Sequence, residues 1–196
     1  MIELRRVCVF CGSNPGRRPE YAEAAREMGR VLLERGLGLV YGGGNVGLMG
    51  IVADTVLAGG GEVAGVIPEA LVAREVGHAG LTALHVVRTM HERKAMMADL
   101  ADGFVALPGG FGTFEEFCEV LTWSQLGFHP KPCGLLNVAG YYGPLLALFD
   151  HAVEEGFIPA RHRALVIEDT DPARLLDRFA AFRPPTSSKW ISRDER

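Results

Sequence analysis

Short runs of β-branched and other apolar residues alternate along the chain with longer stretches in which apolar positions recur at helical spacing. The runs predict strands at residues 7–10, 38–41, 63–67, 84–87, 103–106, 134–137 and 165–167. The stretches between them predict helices at residues 21–35, 48–58, 90–101, 113–126, 143–155 and 172–182. Strands that alternate with helices form a parallel sheet covered on both faces. The pattern therefore predicts an α/β fold, doubly wound around a central parallel sheet of about seven strands.

Residues 1–183 are predicted to form one domain, because a chain of 196 residues can bury roughly 70% of its unfolded surface. Residues 184–196 have no apolar period, and we expect a flexible tail there. Residues 69–81 are mixed in character and include two glycines, so we expect a flap beside the binding site.

The formal net charge of −4 and the pI near 5.9 argue against a surface committed to nucleic acid or anionic lipid. The apolar runs are shorter than the roughly 18 residues of a membrane span, and the first residues lack the features of a signal peptide. We therefore expect a cytoplasmic protein with no nucleic-acid or membrane partner.

The histidines and cysteines give no sign of a metal or redox centre. The six histidines lack the close spacing of metal ligands, and we expect no metal site. Cys8 and Cys11 have the C-x-x-C spacing of a redox pair, but redox pairs lie at helix N-termini, whereas Cys8 lies inside a predicted strand and Cys11 at its end. Their spacing places the two side chains on opposite faces of the sheet.

Three junctions where a predicted strand leads into a helix carry one or more glycines. Residues 11–15 read CGSNP, residues 42–47 read GGGNVG and residues 108–113 read PGGFGT. Consecutive glycines at a helix N-terminus let unpaired N–H groups converge on a phosphate. The alternative is that the glycines only serve tight turns, but three such junctions at one edge of the sheet favour a phosphate site.

Residues 42–47 also match the G-x-G-x-x-G dinucleotide fingerprint. The match follows the second predicted strand instead of the first, and the next strand lacks a terminal acidic residue unless Glu69 takes that place. This context does not favour NAD binding.

Two cationic residues lie close to the start of the helix predicted at residues 90–101. Thr89 and Glu92 have the spacing of a capping box, and Arg93 and Lys94 follow directly. Cations in a first turn oppose the helix dipole, so we expect an anion to compensate them. The alternative is a solvated basic corner.

Glu116 also has two interpretations. Thr113 and Glu116 have the spacing of a second capping box, in which the carboxylate would only cap its helix. In the other interpretation the carboxylate takes part in catalysis. Both place it beside the glycine loop at residues 109–112, and Glu119, one turn on, is expected to lie farther out.

The chain resembles the Lonely Guy family of cytokinin riboside 5′-monophosphate phosphoribohydrolases, whose signature is P-G-G-x-G-T-x-x-E. Residues 108–116 read PGGFGTFEE, and residues 90–94 (MHERK), 41–50 (YGGGNVGLMG) and 11–13 (CGS) also look like the family's motifs, in the same order. The resemblance covers roughly residues 7–160.

The resemblance implies a Rossmann-like domain, usually in a homodimer, that hydrolyses a nucleoside 5′-monophosphate to free base and ribose 5-phosphate. By position, Arg93 and Glu116 match the family's catalytic pair. The resemblance and the glycine junctions together predict a set of substrate-binding residues. They are Gly12, Ser13, Gly43, Gly44, Lys94, Gly109, Gly110, Phe111, Gly112, Thr113 and Glu115. Some plant members carry an acid at the place of Ala79, so the base or prenyl preference is left open.

Two alternatives to this hydrolase remain, a non-catalytic carrier of a nucleotide or of molybdenum cofactor, and an NAD-dependent enzyme. The family has also been labelled lysine decarboxylase, which implies pyridoxal phosphate. Lys189 lies in the expected tail and is not a convincing Schiff-base lysine, so we expect no cofactor.

Overall fold

A seven-stranded parallel sheet forms the centre of the protein. The computed structural model describes residues 3–75 and 77–183. The strands lie in the order β4-β3-β2-β1-β5-β6-β7. They are β1 Arg6–Phe10, β2 Gly38–Tyr41, β3 Val63–Pro68, β4 Ala83–Val87, β5 Gly103–Ala106, β6 Cys133–Leu136 and β7 Val166–Asp169. The order reverses between β1 and β5, which is where doubly wound folds bind ligands.

Two layers of helices cover the sheet. The helices are α1 Pro19–Glu34, α2 Gly47–Ala58, α3 Glu69–Glu75, α4 Met90–Leu100, α5 Phe111–Leu126, α6 Gly143–Glu154, α7 Ala160–Arg163 and α8 Pro172–Ala181. Helices α1, α2 and α8 bury apolar residues against one face, and α4, α5 and α6 bury theirs against the other. Val7 and Val9 of β1 face the first layer, whereas Cys8 and Phe10 face the second, because side chains alternate along a strand.

The predicted fold class is confirmed, and each predicted strand and helix is present with ends shifted by a few residues. The pattern missed α3 and α7, both short. The expected tail at residues 184–196 lies outside the described residues, so the division of the chain at residue 183 stays a prediction.

The segment expected to be a flap begins as helix α3 and then meets the second glycine junction. Gly77 forms an antiparallel bridge with Gly44, and the His78 amide donates to the Gly43 carbonyl at 3.2 Å. The His78 side chain in turn contacts Asp54 of α2, with 2.8 Å between Nε2 and Oδ1. Backbone contacts therefore hold this segment beside Gly43 and Gly44.

Cys8 and Cys11 lie on opposite faces of the sheet, as their spacing predicts. Both thiols are free and buried, and burial raises their pKa values well above the ordinary value. They therefore act as small apolar residues. Among the described residues, no helix combines the length and apolar character needed to cross a bilayer.

Candidate active site

The first and third glycine junctions meet at the point where the strand order reverses. The Gly12 amide donates to the Pro108 carbonyl at 3.1 Å, and the Leu48 amide at the start of α2 donates to the Gly12 carbonyl at 3.0 Å. The loops after β1 and β5 and the first turn of α2 therefore form one hydrogen-bonded unit at the carboxyl edge of the sheet.

Some of the glycines are required by these backbone contacts. A Cβ atom at Gly12 would lie 2.9 Å from the Asn14 carbonyl oxygen and 3.3 Å from the Gly109 Cα. Gly47 has a φ of +58°, and a Cβ there would lie 2.3 Å from the Ser13 carbonyl carbon. At these two positions the turns need glycine, because a side chain would separate the loops.

Gly110 and Gly112 differ from the glycines that the turns need, because a Cβ atom at either position would have nothing within 4 Å. Packing does not require glycine there. Their absent side chains instead leave open space around the first amides of α5, which is the room that a phosphate needs.

Helix α5 begins at Phe111, two residues before the predicted start, with Gly110 as its N-cap and no side-chain cap. Thr113 is therefore the third helical residue, and the capping-box interpretation of Thr113 and Glu116 is wrong. The Thr113 side chain instead covers Gly109, where a Cβ atom would lie 2.1 Å from the Thr113 Oγ1. The first amides of an α-helix have no partner within the helix, so those of α5 are available to an anion.

Arg93 lies buried on α4, with 7% of its surface exposed. Its Nε donates to the Val66 carbonyl at 3.1 Å, and its Nη2 donates to the Gly42 carbonyl at 3.4 Å. A carbonyl within β3 and a carbonyl directly after β2 therefore fix the position of the guanidinium.

The guanidinium of Arg93 faces the carboxylate of Glu116 on α5, with 3.7 Å between Nη2 and Oε1. Only 11% of the Glu116 side chain is exposed. The two residues that match the family's catalytic pair thus form a largely buried ion pair, although 23 residues separate them in the sequence.

Lys94 forms a second set of ion pairs between the same two helices. Its Nζ lies 2.5 Å from Glu115 Oε1 and 3.0 Å from Glu119 Oε1. Burial alone would lower the pKa of Lys94, but the hydrogen bonds to the two carboxylates outweigh it and raise that pKa. The ammonium therefore stays charged at neutral pH, and Glu119 lies closer to the site residues than expected.

The anions that compensate the two cations of α4 thus come from α5. The capping interaction at Thr89 is present, because the Glu92 amide donates to Thr89 Oγ1 at 3.1 Å. Arg93 and Lys94 are both buried and paired with carboxylates, so the alternative of a solvated basic corner is wrong.

A cavity of about 270 Å³ opens beside the first and third junctions. Its lining includes Ser13, Gly110, Tyr21 and Tyr141. The two tyrosine rings meet edge to face at 5.8 Å, and the Tyr141 hydroxyl donates to the Gly109 carbonyl. Sequence reasoning missed both tyrosines, because an aromatic residue near a loop gives no sign of which carbonyl its hydroxyl reaches.

Phe111 lies at the first position of α5 with 92% of its surface exposed. It lies between Gly110 and Gly112, the two glycines that have open space beside them. A large exposed aromatic residue at this place is suited to contact an apolar or planar part of a ligand.

Comparisons with known proteins show the family of this chain. The family model described as "possible lysine decarboxylase" matches residues 49–179. A cytokinin riboside 5′-monophosphate phosphoribohydrolase of Oryza sativa subsp. japonica is 51% identical over 181 residues, which cover 92% of this chain and 75% of the relative. The chain belongs to the Lonely Guy family. An Arabidopsis thaliana relative named for the same activity is 50% identical, over 92% of this chain and 83% of its own length.

Solved structures share the fold of this Lonely Guy protein. The molybdenum cofactor carrier protein from Chlamydomonas reinhardtii superposes with a TM-score of 0.69 at 20% identity, over 92% of this chain and all of that chain. The molybdenum cofactor binding protein from Rippkaea orientalis superposes with a TM-score of 0.68, also at 20% identity, over 92% and 98% of the two chains. At this identity the likeness concerns the fold alone.

The position of Arg93 depends on Gly42, and this dependence is testable. In Gly42→Ala the new Cβ would lie 2.1 Å from Arg93 Nη2, so the flexible arginine moves away from Glu116. We expect Tm to fall by several degrees, because the displacement disturbs a buried ion pair between α4 and α5. We expect kcat/KM on AMP to fall on the order of 100-fold, because the guanidinium is misplaced.

Thermal melts and steady-state kinetics measure the two effects of Gly42→Ala. Gly143→Ala is the matched control, since a Cβ atom at the exposed Gly143 would meet nothing within 4 Å. Unchanged kinetics in Gly42→Ala would show that the position of Arg93 does not matter.

Proposed function

We propose that this protein hydrolyses the N-glycosidic bond of a nucleoside 5′-monophosphate, AMP or an N6-prenylated AMP, and releases the free base and ribose 5-phosphate. The observation that carries the proposal is the buried ion pair of Arg93 and Glu116 next to the uncapped N-terminus of α5. The relatives named for this activity support the same reaction.

The phosphate binds at the start of α5 in this proposal. Amides of residues 109–113 donate to its oxygens, and the helix dipole favours its negative charge. Gly110 and Gly112 supply the open space for it. Gly12, Ser13, Gly43 and Gly44 form the neighbouring edge of the site and contact the ribose phosphate.

The reaction breaks the bond between the anomeric carbon and the base nitrogen and forms a bond from that carbon to a water oxygen. Positive charge develops on the ribose while the base leaves with the electron pair of the broken bond. The carboxylate of Glu116 stabilises that positive charge and accepts a proton from the attacking water. The proton lost by the water balances the one that the base takes up.

Arg93 and Lys94 have different roles in this proposal. Arg93 holds the Glu116 carboxylate in place and directs its remaining N–H groups toward the substrate. Lys94 and Glu115 contribute to substrate binding through their ion pair. The pair holds α4 against α5 and so sets the distance between Arg93 and Glu116. Binding energy from the phosphate, remote from the broken bond, serves to orient the sugar.

We also propose that the protein acts in the cytoplasm and that it forms a homodimer, which the family resemblance implies. On α5, Phe117 and Val120 are buried in the core and Trp123 is half-buried against it, so these apolar residues are used by the packing of the domain itself. Light scattering of the purified protein at micromolar concentration should give twice the mass of 21.2 kDa. A mass of one chain at that concentration would contradict the dimer.

Glu116→Gln tests the central role in the proposed reaction. The amide keeps the shape of the side chain but can neither accept a proton nor balance positive charge, so we expect kcat on AMP to fall at least about 100-fold. We expect the dissociation constant for AMP to stay within about threefold of the parent value, because the phosphate contacts remain.

The measurement incubates AMP and N6-isopentenyl AMP with each protein and quantifies free base and ribose 5-phosphate by chromatography. Glu34→Gln, at an exposed position of α1, controls for the loss of one negative charge. Nucleotide binding by the parent without release of base would contradict hydrolysis and favour a carrier. Full turnover by Glu116→Gln would remove Glu116 from the chemistry.

Gly112→Ala separates stability from binding. Alanine favours a helix over glycine by roughly 0.5–1 kcal/mol, so we expect Tm to rise by about 1–4 °C. The added methyl group occupies the open space beside the α5 amides, and we expect AMP to bind about tenfold more weakly or worse. Calorimetric titration with AMP and a thermal melt measure both effects, and undiminished AMP binding would place the phosphate elsewhere.

A further inference from the structure

Two consecutive tyrosines between β6 and α6 donate hydrogen bonds to the loop that precedes α5. The Tyr142 hydroxyl donates to the Leu107 carbonyl at 2.6 Å, and the Tyr141 hydroxyl donates to the Gly109 carbonyl. The tyrosines therefore contact the loop at two carbonyls that lie two residues apart.

The tyrosine pair is itself anchored to the sheet. The Tyr142 amide donates to Asn137 Oδ1 at 2.7 Å, and Asn137 Nδ2 donates to Glu168 Oε1 of β7 at 2.5 Å. Ala139 adopts a left-handed conformation with a φ of 51°, which turns the chain between Asn137 and the tyrosines. A strained residue kept at a connection indicates that the position of the following residues matters.

All three carbonyls of residues 107–109 point at donors within the protein. Leu107 accepts from Tyr142, Pro108 accepts from the Gly12 amide at 3.1 Å, and Gly109 accepts from Tyr141. The peptide planes of this loop are thus set individually, by three donors from two different connections.

The peptide planes of this loop differ in whether an N–H group lies on the side opposite the carbonyl. Peptide bonds of the described chain are trans, so the carbonyl of one residue and the N–H of the next point in opposite directions. The plane that begins at Leu107 ends at Pro108, which has no N–H. The plane that begins at Gly109 ends at Gly110, the N-cap of α5, and the first amides of a helix have no partner within the helix.

We propose that Tyr141 is a positioning residue, which orients the Gly109–Gly110 peptide so that the Gly110 amide donates to the phosphate of the substrate. The inference rests on the proposed function only in taking a sugar phosphate as the anion. Tyr142 holds the same loop through the Leu107–Pro108 peptide, which has no N–H to offer a ligand. Its hydrogen bond therefore contributes to the stability of the fold and not to phosphate binding.

The hydroxyl of Tyr141 acts as a donor throughout the neutral pH range. Burial, with a smaller contribution from Tyr21, raises its pKa above the ordinary tyrosine value, so the proton stays in place. The positioning effect is accordingly independent of pH near neutrality, unlike that of a titrating group.

The paired variants Tyr141→Phe and Tyr142→Phe test the inference, because each deletes one hydroxyl and keeps the ring. In Tyr141→Phe the ring contacts with Tyr21 and Phe114 remain, so the protein folds. We expect it to bind ribose 5-phosphate about tenfold more weakly, the effect of losing one well-directed hydrogen bond, and to bind adenosine within about twofold of the parent affinity.

Tyr142→Phe is expected to show the reverse pattern. It leaves the fully buried Leu107 carbonyl without its donor, so Tm falls by roughly 2–8 °C while ribose 5-phosphate affinity stays within about twofold. A merely structural role of Tyr141 would move Tm and leave the ratio of ribose 5-phosphate to adenosine affinity unchanged.

Titration calorimetry with both ligands at two pH values near neutrality measures these affinities, and amide NMR supplies a second measure. The Gly110 amide resonance should shift on addition of ribose 5-phosphate to the parent and not to Tyr141→Phe. Equal weakening of both ligands in Tyr141→Phe, or equal loss of ribose 5-phosphate affinity in both variants, would overturn the inference. Neither ligand needs turnover to bind, so a parent that fails to hydrolyse AMP overturns the proposed function alone.

Discussion

The site depends on direct backbone contact between the loops that follow β1 and β5. These loops lie side by side because the strand order reverses between the two strands. Glycine at positions 12 and 109 lets their backbones touch, and the Gly12 amide uses the Pro108 carbonyl as its acceptor. The contact directs loop carbonyls into the protein and leaves amides at the start of α5 for a ligand. A single methyl group on Gly12 or Gly109 would meet backbone or Thr113 and disturb this arrangement.

The second constraint is the burial of charge between α4 and α5. Arg93 and Lys94 are buried cations, and a buried charge without a partner is costly. Carboxylates of Glu115, Glu116 and Glu119 on the facing helix supply the partners. Because the same ion pairs fix the two helices and form the candidate site, the geometry of the proposed catalytic pair is tied to the packing of the domain. Removal of one of these charged residues would change both the geometry of the site and the packing of α4 against α5.

Local sequence patterns predicted an element correctly where the residues of that element alone decide its structure. The strands were predictable because buried parallel strands are continuously apolar, and the cap at Thr89 was predictable from its own side chain. The start of α5 was misplaced because Gly110, which has no side chain to signal a cap, serves as the N-cap. Helix α3 was missed because its residues are mixed in character, and the segment that follows it takes its place from the contacts of Gly77 and His78 with Gly43 and Gly44.

The sequence by itself determined the α/β fold, the placement of three glycine junctions at one edge of the sheet and, through its motifs, the match of Arg93 and Glu116 to the family's catalytic pair. Only the tertiary structure decided which anions meet the cations of α4, which glycines serve packing and which leave open space, and which hydroxyls hold the loop before α5. The physical reason is distance along the chain. Periodicity reports the neighbours of a residue within a few positions, whereas Tyr141 and Gly109, 32 residues apart, meet only because β5 and β6 are adjacent strands.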